Sequence, residues 1–238
     1  MRPHAPIYRR YAMTKVFYFS GSGHSLAVAK AVSEKIGGQP VEIDHAPPRY
    51  SDIAVVVFPV YCQNIPKPVK MFLNKLAAKH IALIATYGRI SHGNVLREAQ
   101  KLVQGQVIAG AYIATGHTFL GGDCVFDAAW LEPLAQRLRE PKQATIPEAP
   151  KDRWADLFPG LRSRLGTGLW RTELCDRCGL CEKRCPVNAI RAGRITSKCI
   201  RCLRCVTNCP KGAMRYKNRW LLDRYLRGHW NDHTVLYL

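Results

Sequence analysis

Between Cys175 and Cys209 the chain repeats one pattern: Cys175-x2-Cys178-x2-Cys181-x3-Cys185-Pro186, then Cys199-x2-Cys202-x2-Cys205-x3-Cys209-Pro210. Three cysteines at i, i+3 and i+6 wrap a short loop round three corners of a cubane, and the cysteine before proline serves the other cluster. The spacing therefore predicts two [4Fe–4S] clusters. One takes Cys175, Cys178, Cys181 and Cys209; the other takes Cys199, Cys202, Cys205 and Cys185. The 24-residue offset also aligns Ala189 with Ala213 and Arg191 with Arg215, so two half-domains related by a pseudo-two-fold axis are expected. Pro186 and Pro210 should each turn the chain into a short helix. Structural zinc uses two well-separated pairs per ion and has no use for a third cysteine three residues on. A disulfide framework needs an oxidising compartment. Eight thiolates committed to iron point instead to a reducing cytoplasm.

The first 140 residues read differently. Residues 15–20 are a β-rich run that ends in Ser20-Gly21-Ser22-Gly23-His24-Ser25, and residues 26–36 show helical periodicity that stops at Gly37-Gly38. Further strands are expected over 40–43, 53–58, 81–86 and 107–115, and helices over 67–78, 93–103 and 127–139. The unbroken apolar runs at 53–58 and 81–86 suit parallel strands buried on both faces. Strands alternating with helices predict a doubly wound α/β sheet.

The rest divides by composition. Residues 1–13 read as a disordered leader, or as chain upstream of a start at Met13, and 14–140 as the α/β domain. Residues 141–169 read as a proline-dotted linker with a connecting helix over 154–169. Residues 170–217 form the cysteine domain, and 218–238 a basic, aromatic tail with a helix over 220–226 packed back on one of the domains. No apolar run is long enough for a membrane span.

The formal charge is +19, of which residues 151–238 carry +12. Clusters and a bound phosphate would offset part of it. The remainder suits an acidic redox partner docking near the clusters, because complementary fields speed encounter. Arg177, Arg201 and Arg204 stand among the cysteines and should favour the more negative reduced state. The basic tail with Trp220 and Trp230 leaves open a nucleic-acid-binding role, which the cysteine chemistry makes the lesser reading.

The loop 20–25 joins a strand to a helix at the carboxyl edge of the sheet, where open α/β folds bind ligands. It lacks the lysine of a P-loop, and Leu26 stands where a dinucleotide fingerprint needs a third glycine. What remains is Ser20, Ser22 and Ser25 interleaved with Gly21 and Gly23 at a helix N-terminus, suited to one terminal phosphate.

Here the chain resembles the flavodoxin–ferredoxin fusion family over residues 14–140 and 170–217. The loop 20–25 is similar to the flavodoxin FMN-phosphate motif, and Phe58-Pro59-Val60-Tyr61-Cys62-Gln63-Asn64-Ile65-Pro66 and Thr86-Tyr87-Gly88-Arg89 are similar to its ring-binding segments. The resemblance implies a flavodoxin-like five-stranded parallel sheet of order 2-1-3-4-5, followed by an α+β two-[4Fe–4S] ferredoxin-type domain. It implies FMN on Ser20, Gly21, Ser22, Gly23, His24 and Ser25, with its ring among Pro59, Val60, Tyr61, Cys62, Asn64, Thr86, Tyr87 and Gly88. Tyr61 and Tyr87 could stack on that ring, Gly88 leaves room for backbone, and residues 115–123, with Gly116, His117, Gly121 and Gly122, would make a third wall. His24 stands where flavodoxins usually have asparagine, and as a cation it would favour a phosphate dianion. Cys62 and Cys124, outside the cluster set, fall in loops at the flavin edge. His92 and His117 are candidates for proton delivery near the flavin edge.

The expectation is a soluble electron carrier or small oxidoreductase joining FMN to two clusters, with a ferredoxin, flavodoxin or reductase as acidic partner. A cluster protein whose α/β domain is a flavin-free docking platform is the alternative.

Overall fold

The apolar runs behave as parallel strands should, each alternating its side chains between two cores. The computed structural model describes residues 14–44, 51–121, 123–157 and 159–238. The leader and Gly122 lie outside them. The chain runs β1 (Thr14–Tyr18), α1 (His24–Ile36), β2 (Val41–Glu42), β3 (Ser51–Pro59), α2 (Lys67–Leu73), β4 (Ala78–Tyr87), α3 (Val95–Gln100), β5 (Gln106–Ala114) and α4 (Leu131–Arg139). The five strands are parallel in the order 2-1-3-4-5, the flavodoxin-like arrangement. Ala54, Val56 and Phe58 of β3 pack with Val69, Phe72 and Leu73 of α2 and Leu96 of α3. Ile53, Val55 and Val57 point the other way, to Val28 and Val32 of α1 and Leu134 and Leu138 of α4. Each such side chain contributes about 1.5–3 kcal/mol by leaving water.

Helix α2 ends at Leu73 rather than near residue 78. Leu76 is drawn into the core instead, and Ala78 already pairs with Ser51. Residues 141–157, read from sequence as a linker, are fastened to this layer. Ala144 N–H donates to the Val107 carbonyl at 2.9 Å, Ile146 is buried, and Asn64 Nδ2 donates to the Ala155 carbonyl at 2.9 Å. Lys151 is paired with Glu98 and Asp156, both at 2.6 Å.

Helix α5 (Pro159–Gly166) stops where β6 (Thr167–Arg171) begins, so the expected connecting helix gives way to a strand at Thr167. The cysteine domain then adds α6 (Leu180–Lys183), β7 (Ile190–Arg191), β8 (Arg194–Ile195), α7 (Arg204–Thr207) and β9 (Met214–Asn218). Strands β6 and β9 pair antiparallel, as do β7 and β8. The internal repeat extends to the backbone. Left-handed residues recur at the same offset, Arg177 with Arg201, Gly179 with Leu203 and Asn188 with Gly212.

The tail forms α8 (Trp220–Gly228) and β10 (Val235–Tyr237), and β10 adds an antiparallel sixth strand beside β5. The chain thus leaves the α/β layer, builds the cysteine domain and returns. Among the described residues no helix is long and apolar enough to cross a membrane.

Candidate functional site

The cysteines converge in two sets. Cys175, Cys178, Cys181 and Cys209 line one cavity of about 500 Å³ together with Arg171, Arg177 and Lys211. Cys199, Cys202 and Cys205 are buried, and Cys185 lies near enough to influence the ionisation of Cys202 and Cys205. The backbone N–H of Ala189 donates to Cys185 Sγ at 3.1 Å, and that of Ala213 to Cys209 Sγ at 3.2 Å. Donors of this kind are one lever on a cluster's potential. Among the described residues no group of side chains is drawn together as the shell of a single metal ion. Four sulfurs round a wider cavity suit a cubane. Burial pushes Cys202 up to about 11 and Cys205 to about 12, so loading with iron must displace thiol protons.

The buried set faces the α/β domain. Arg204 sits between Leu203 and Cys205, and its side chain is 5% exposed. Its guanidinium pairs with Glu42 at 3.1 Å and with Asp44, and Nε donates to the Ser20 carbonyl at 3.0 Å. It also lies over the Phe19 ring at 4.9 Å. Glu42 and Asp44 thus offset part of the positive charge that Arg204 brings to the cysteine loop. Beside it the backbone comes together: a Cβ on Gly21 would lie 2.0 Å from the Cys202 carbonyl oxygen.

The second cavity, of about 360 Å³, opens at the carboxyl ends of β1, β3 and β4. Every ring- or phosphate-site residue expected from sequence lines it except Gly23 and Asn64. Gly23, at φ 101°, caps α1 and donates its N–H to Ser20 Oγ at 3.1 Å. Asn64 is a buried bracket, donating to the carbonyls of Cys62 and Ala155 at 2.9 Å and accepting from Lys151. Ser25 is buried against Thr86, hydroxyl to hydroxyl at 2.7 Å, and Ser22 pairs with Thr118 at 2.7 Å. Tyr61 and Asn64 close a tight turn in which Cys62 and Gln63 both adopt positive φ, a strained arrangement typical of ligand-holding loops. Tyr61 approaches Gly21, toward the Cys202 loop. Tyr87 is buried, with its hydroxyl donating to the His233 carbonyl at 2.7 Å.

Of the third wall, Thr115, Gly116, His117, Thr118 and Phe119 line the cavity, and Gly121 does not. Cys62 lines it too, with Sγ 3.3 Å from Ser163 Oγ, whereas Cys124 sits behind, 3.7 Å from the His24 carbonyl. Burial lowers the pKa of His24, and a hydrogen bond to the Gly116 backbone works against that shift. His92 is likewise lowered by burial and stacks on Tyr112 at 3.6 Å, away from a proton-delivery role. His117 is pushed down to about 4, first by burial and then by His24. The unfolded chain therefore binds this proton at a higher pH than the folded one. The stability His117 confers is complete above pH 6.5 and is lost as pH falls toward 4. By pH 4.5 that loss is about 2–3 kcal/mol. His117→Gln should flatten the difference between urea midpoints at pH 7 and pH 4.5.

Sequence reasoning missed the contributions from outside the α/β domain. Asp152, Arg162, Ser163, Ile200, Arg201 and the α8 residues Leu222, Tyr225 and Leu226 also line the cavity.

Comparison with known proteins bears on the cysteine domain. Residues 169–191 and 194–215 match the 4Fe–4S binding domain. That region is an iron–sulfur electron-transfer module, and the chain joins it to a flavodoxin-like sheet, as its sequence resemblance implies. No curated protein matches the chain. Solved structures similar to it include one described as a flavoprotein from Bacteroides uniformis ATCC 8492 (19% identity, 44% of this chain and 92% of that one, TM-score 0.34). Another is described as a flavoprotein from Bacteroides eggerthii DSM 20697 (17%, 51% and 97%, TM-score 0.37), and a third is azoreductase AzrA (11%, 53% and 93%, TM-score 0.29). These scores add nothing to the topology already described.

Proposed function

We propose that this protein is an electron-transfer protein that holds FMN in the 360 Å³ cavity and two [4Fe–4S] clusters on its eight cysteines. When bound, clusters of this type pass single electrons, and a flavin passes one or two. The observation that carries the reading is the direct contact between the phosphate-type loop and the Cys202 loop, where Gly21 meets the Cys202 carbonyl. A docking platform would have no need to bring those two loops together.

The residues divide the work. Backbone N–H groups at the start of α1 face the phosphate position with favourable partial charge. The strained turn at Cys62 and Gln63 and the loop through Gly88 present backbone to the ring. Arg204 holds the buried cysteine loop against the site. Around the other cysteine set, Arg171, Arg177 and Lys211 outnumber Asp176 and Glu182 in the cavity lining, and that positive balance suits an acidic redox protein such as a ferredoxin, a flavodoxin or a reductase.

Anaerobic purification followed by counting of iron, sulfide and flavin tests the proposal. About eight iron and one FMN per chain are expected. About eight iron with no flavin, unrestored by added FMN, would overturn the flavin part and leave an iron–sulfur protein on an α/β platform.

A further inference from the structure

The expected FMN site occupies loops of the α/β domain, yet one side of the cavity is built by chain that comes after that domain. Leu222, Tyr225 and Leu226 lie at i, i+3 and i+4 on α8 and share one face. All three line the cavity. Leu226 is buried, Leu222 half-buried and Tyr225 46% exposed, while Trp220 and Leu221 point outward. From the cysteine domain come Ile200 and Arg201. Arg201 Nε donates to the Thr167 carbonyl at 2.9 Å, whereas its Nη1 is buried with no partner. A buried donor left unmade costs free energy, and this one belongs to a side chain on the cavity wall.

The segment after α8 also grips a ring loop. His233 accepts the Tyr87 hydroxyl on its carbonyl, Asn231 N–H donates to the Arg89 carbonyl at 2.6 Å, and Arg89 lies over the Trp230 ring at 5.0 Å. Arg89 has φ 58°, a conformation that its surroundings must hold. Strand β10 then pins the end of the chain to β5.

We infer that the aromatic-ring site is composite: α8 supplies an apolar wall for a planar heteroaromatic ring, and Arg201 donates a hydrogen bond to an acceptor on that ring's polar edge. The tail is then a binding element rather than an appendage. Because linkage is reciprocal, the ring also stabilises the tail. This inference rests on the proposal that the cavity takes FMN.

The test uses the full-length, cluster-loaded protein. Tyr225→Ala, Leu222→Ala and Arg201→Met are titrated with FMN by fluorescence, with iron counted in each. At least about a tenfold rise in Kd is expected for each variant, at unchanged iron. Added FMN should also slow tryptic cleavage after Arg224 and Arg227 in the parent protein, a readout that needs no activity. Kd values within about twofold of the parent in all three variants, with tail proteolysis indifferent to FMN, would overturn the composite site. If the parent itself does not bind FMN, the functional proposal fails instead. A variant that loses iron is replaced by Tyr225→Leu, which keeps apolar bulk and should retain more affinity than Tyr225→Ala.

Discussion

Replacing Arg204 by methionine is expected to cost about 3–5 kcal/mol of stability, the usual penalty for removing one member of a buried ion pair. Arg204 arrives from the cysteine domain and ends among Glu42, Asp44 and the Ser20 carbonyl. The side chains of Glu42 and Asp44 are 15% and 21% exposed, so neither is well solvated once deprived of this cation. Methionine fills much of the volume and keeps contact with Phe19, so the loss reports charge and hydrogen bonding rather than a void. Urea unfolding of the iron-loaded protein measures it. Two signs separate this from a surface pair. The difference should persist in 0.5 M salt, where the Debye length falls to about 4–5 Å and exposed pairs fade. Glu42→Gln with Asp44→Asn in the Arg204→Met background should recover part of the loss, because the buried carboxylates then carry no charge. A change under about 1 kcal/mol would show that Arg204 does not clamp the two domains together.

That clamp was invisible in the sequence, and the reason is physical. Arg204 stands in a cysteine loop full of cations, and although it replaces the Leu180 of the first half where Arg177 and Arg201 match each other, that difference names no partner. Its partners lie some 160 residues upstream, and pairing at that distance leaves no periodic trace. The parts that were legible carry their own period or spacing. The strands buried on both faces read as unbroken apolar runs, the cluster ligands as a repeated phrase, and the phosphate-type loop as glycines and serines between a strand and a helix. The α8 wall was half legible: Leu222 and Leu226 mark one face of a helix, but not what that face covers. Strand β10 was not legible at all. Three residues, Val235 to Tyr237, are too few for alternation to show, and they form a strand only because β5 offers an open edge. Asn64 misled for a related reason. An amide in a ring-binding segment suggests a ligand contact, and only the packed residues around Ala155 show that its donors are already used.

The second large effect concerns two glycines of one loop that are needed for different reasons. Gly21→Ala would set a methyl group 2.0 Å from the Cys202 carbonyl oxygen and 2.8 Å from the Tyr61 hydroxyl. The first obstacle is backbone, in a loop held by Arg204 and tethered by cysteine ligands, so it cannot swing aside as a long side chain would. Overpacking a fixed site costs about 1–3 kcal/mol and sometimes more, and the upper end is expected here. Gly23→Ala meets nothing within 4 Å, but its φ of 101° is strained for any L side chain, at about 1–2 kcal/mol. The two variants should therefore fail differently. Gly23→Ala alters the start of α1 and should weaken FMN binding while leaving cluster loading intact. Gly21→Ala should push the Cys202 loop outward, weakening FMN binding and lowering retention of the buried cluster together, seen as a drop toward about four iron per chain under mild chelation. Equal iron retention in both variants, with Gly21→Ala no less stable than Gly23→Ala, would mean that the two loops do not meet as closely as the Gly21 to Cys202 contact requires. The proposal that this contact couples the flavin site to the clusters would then lose its structural basis.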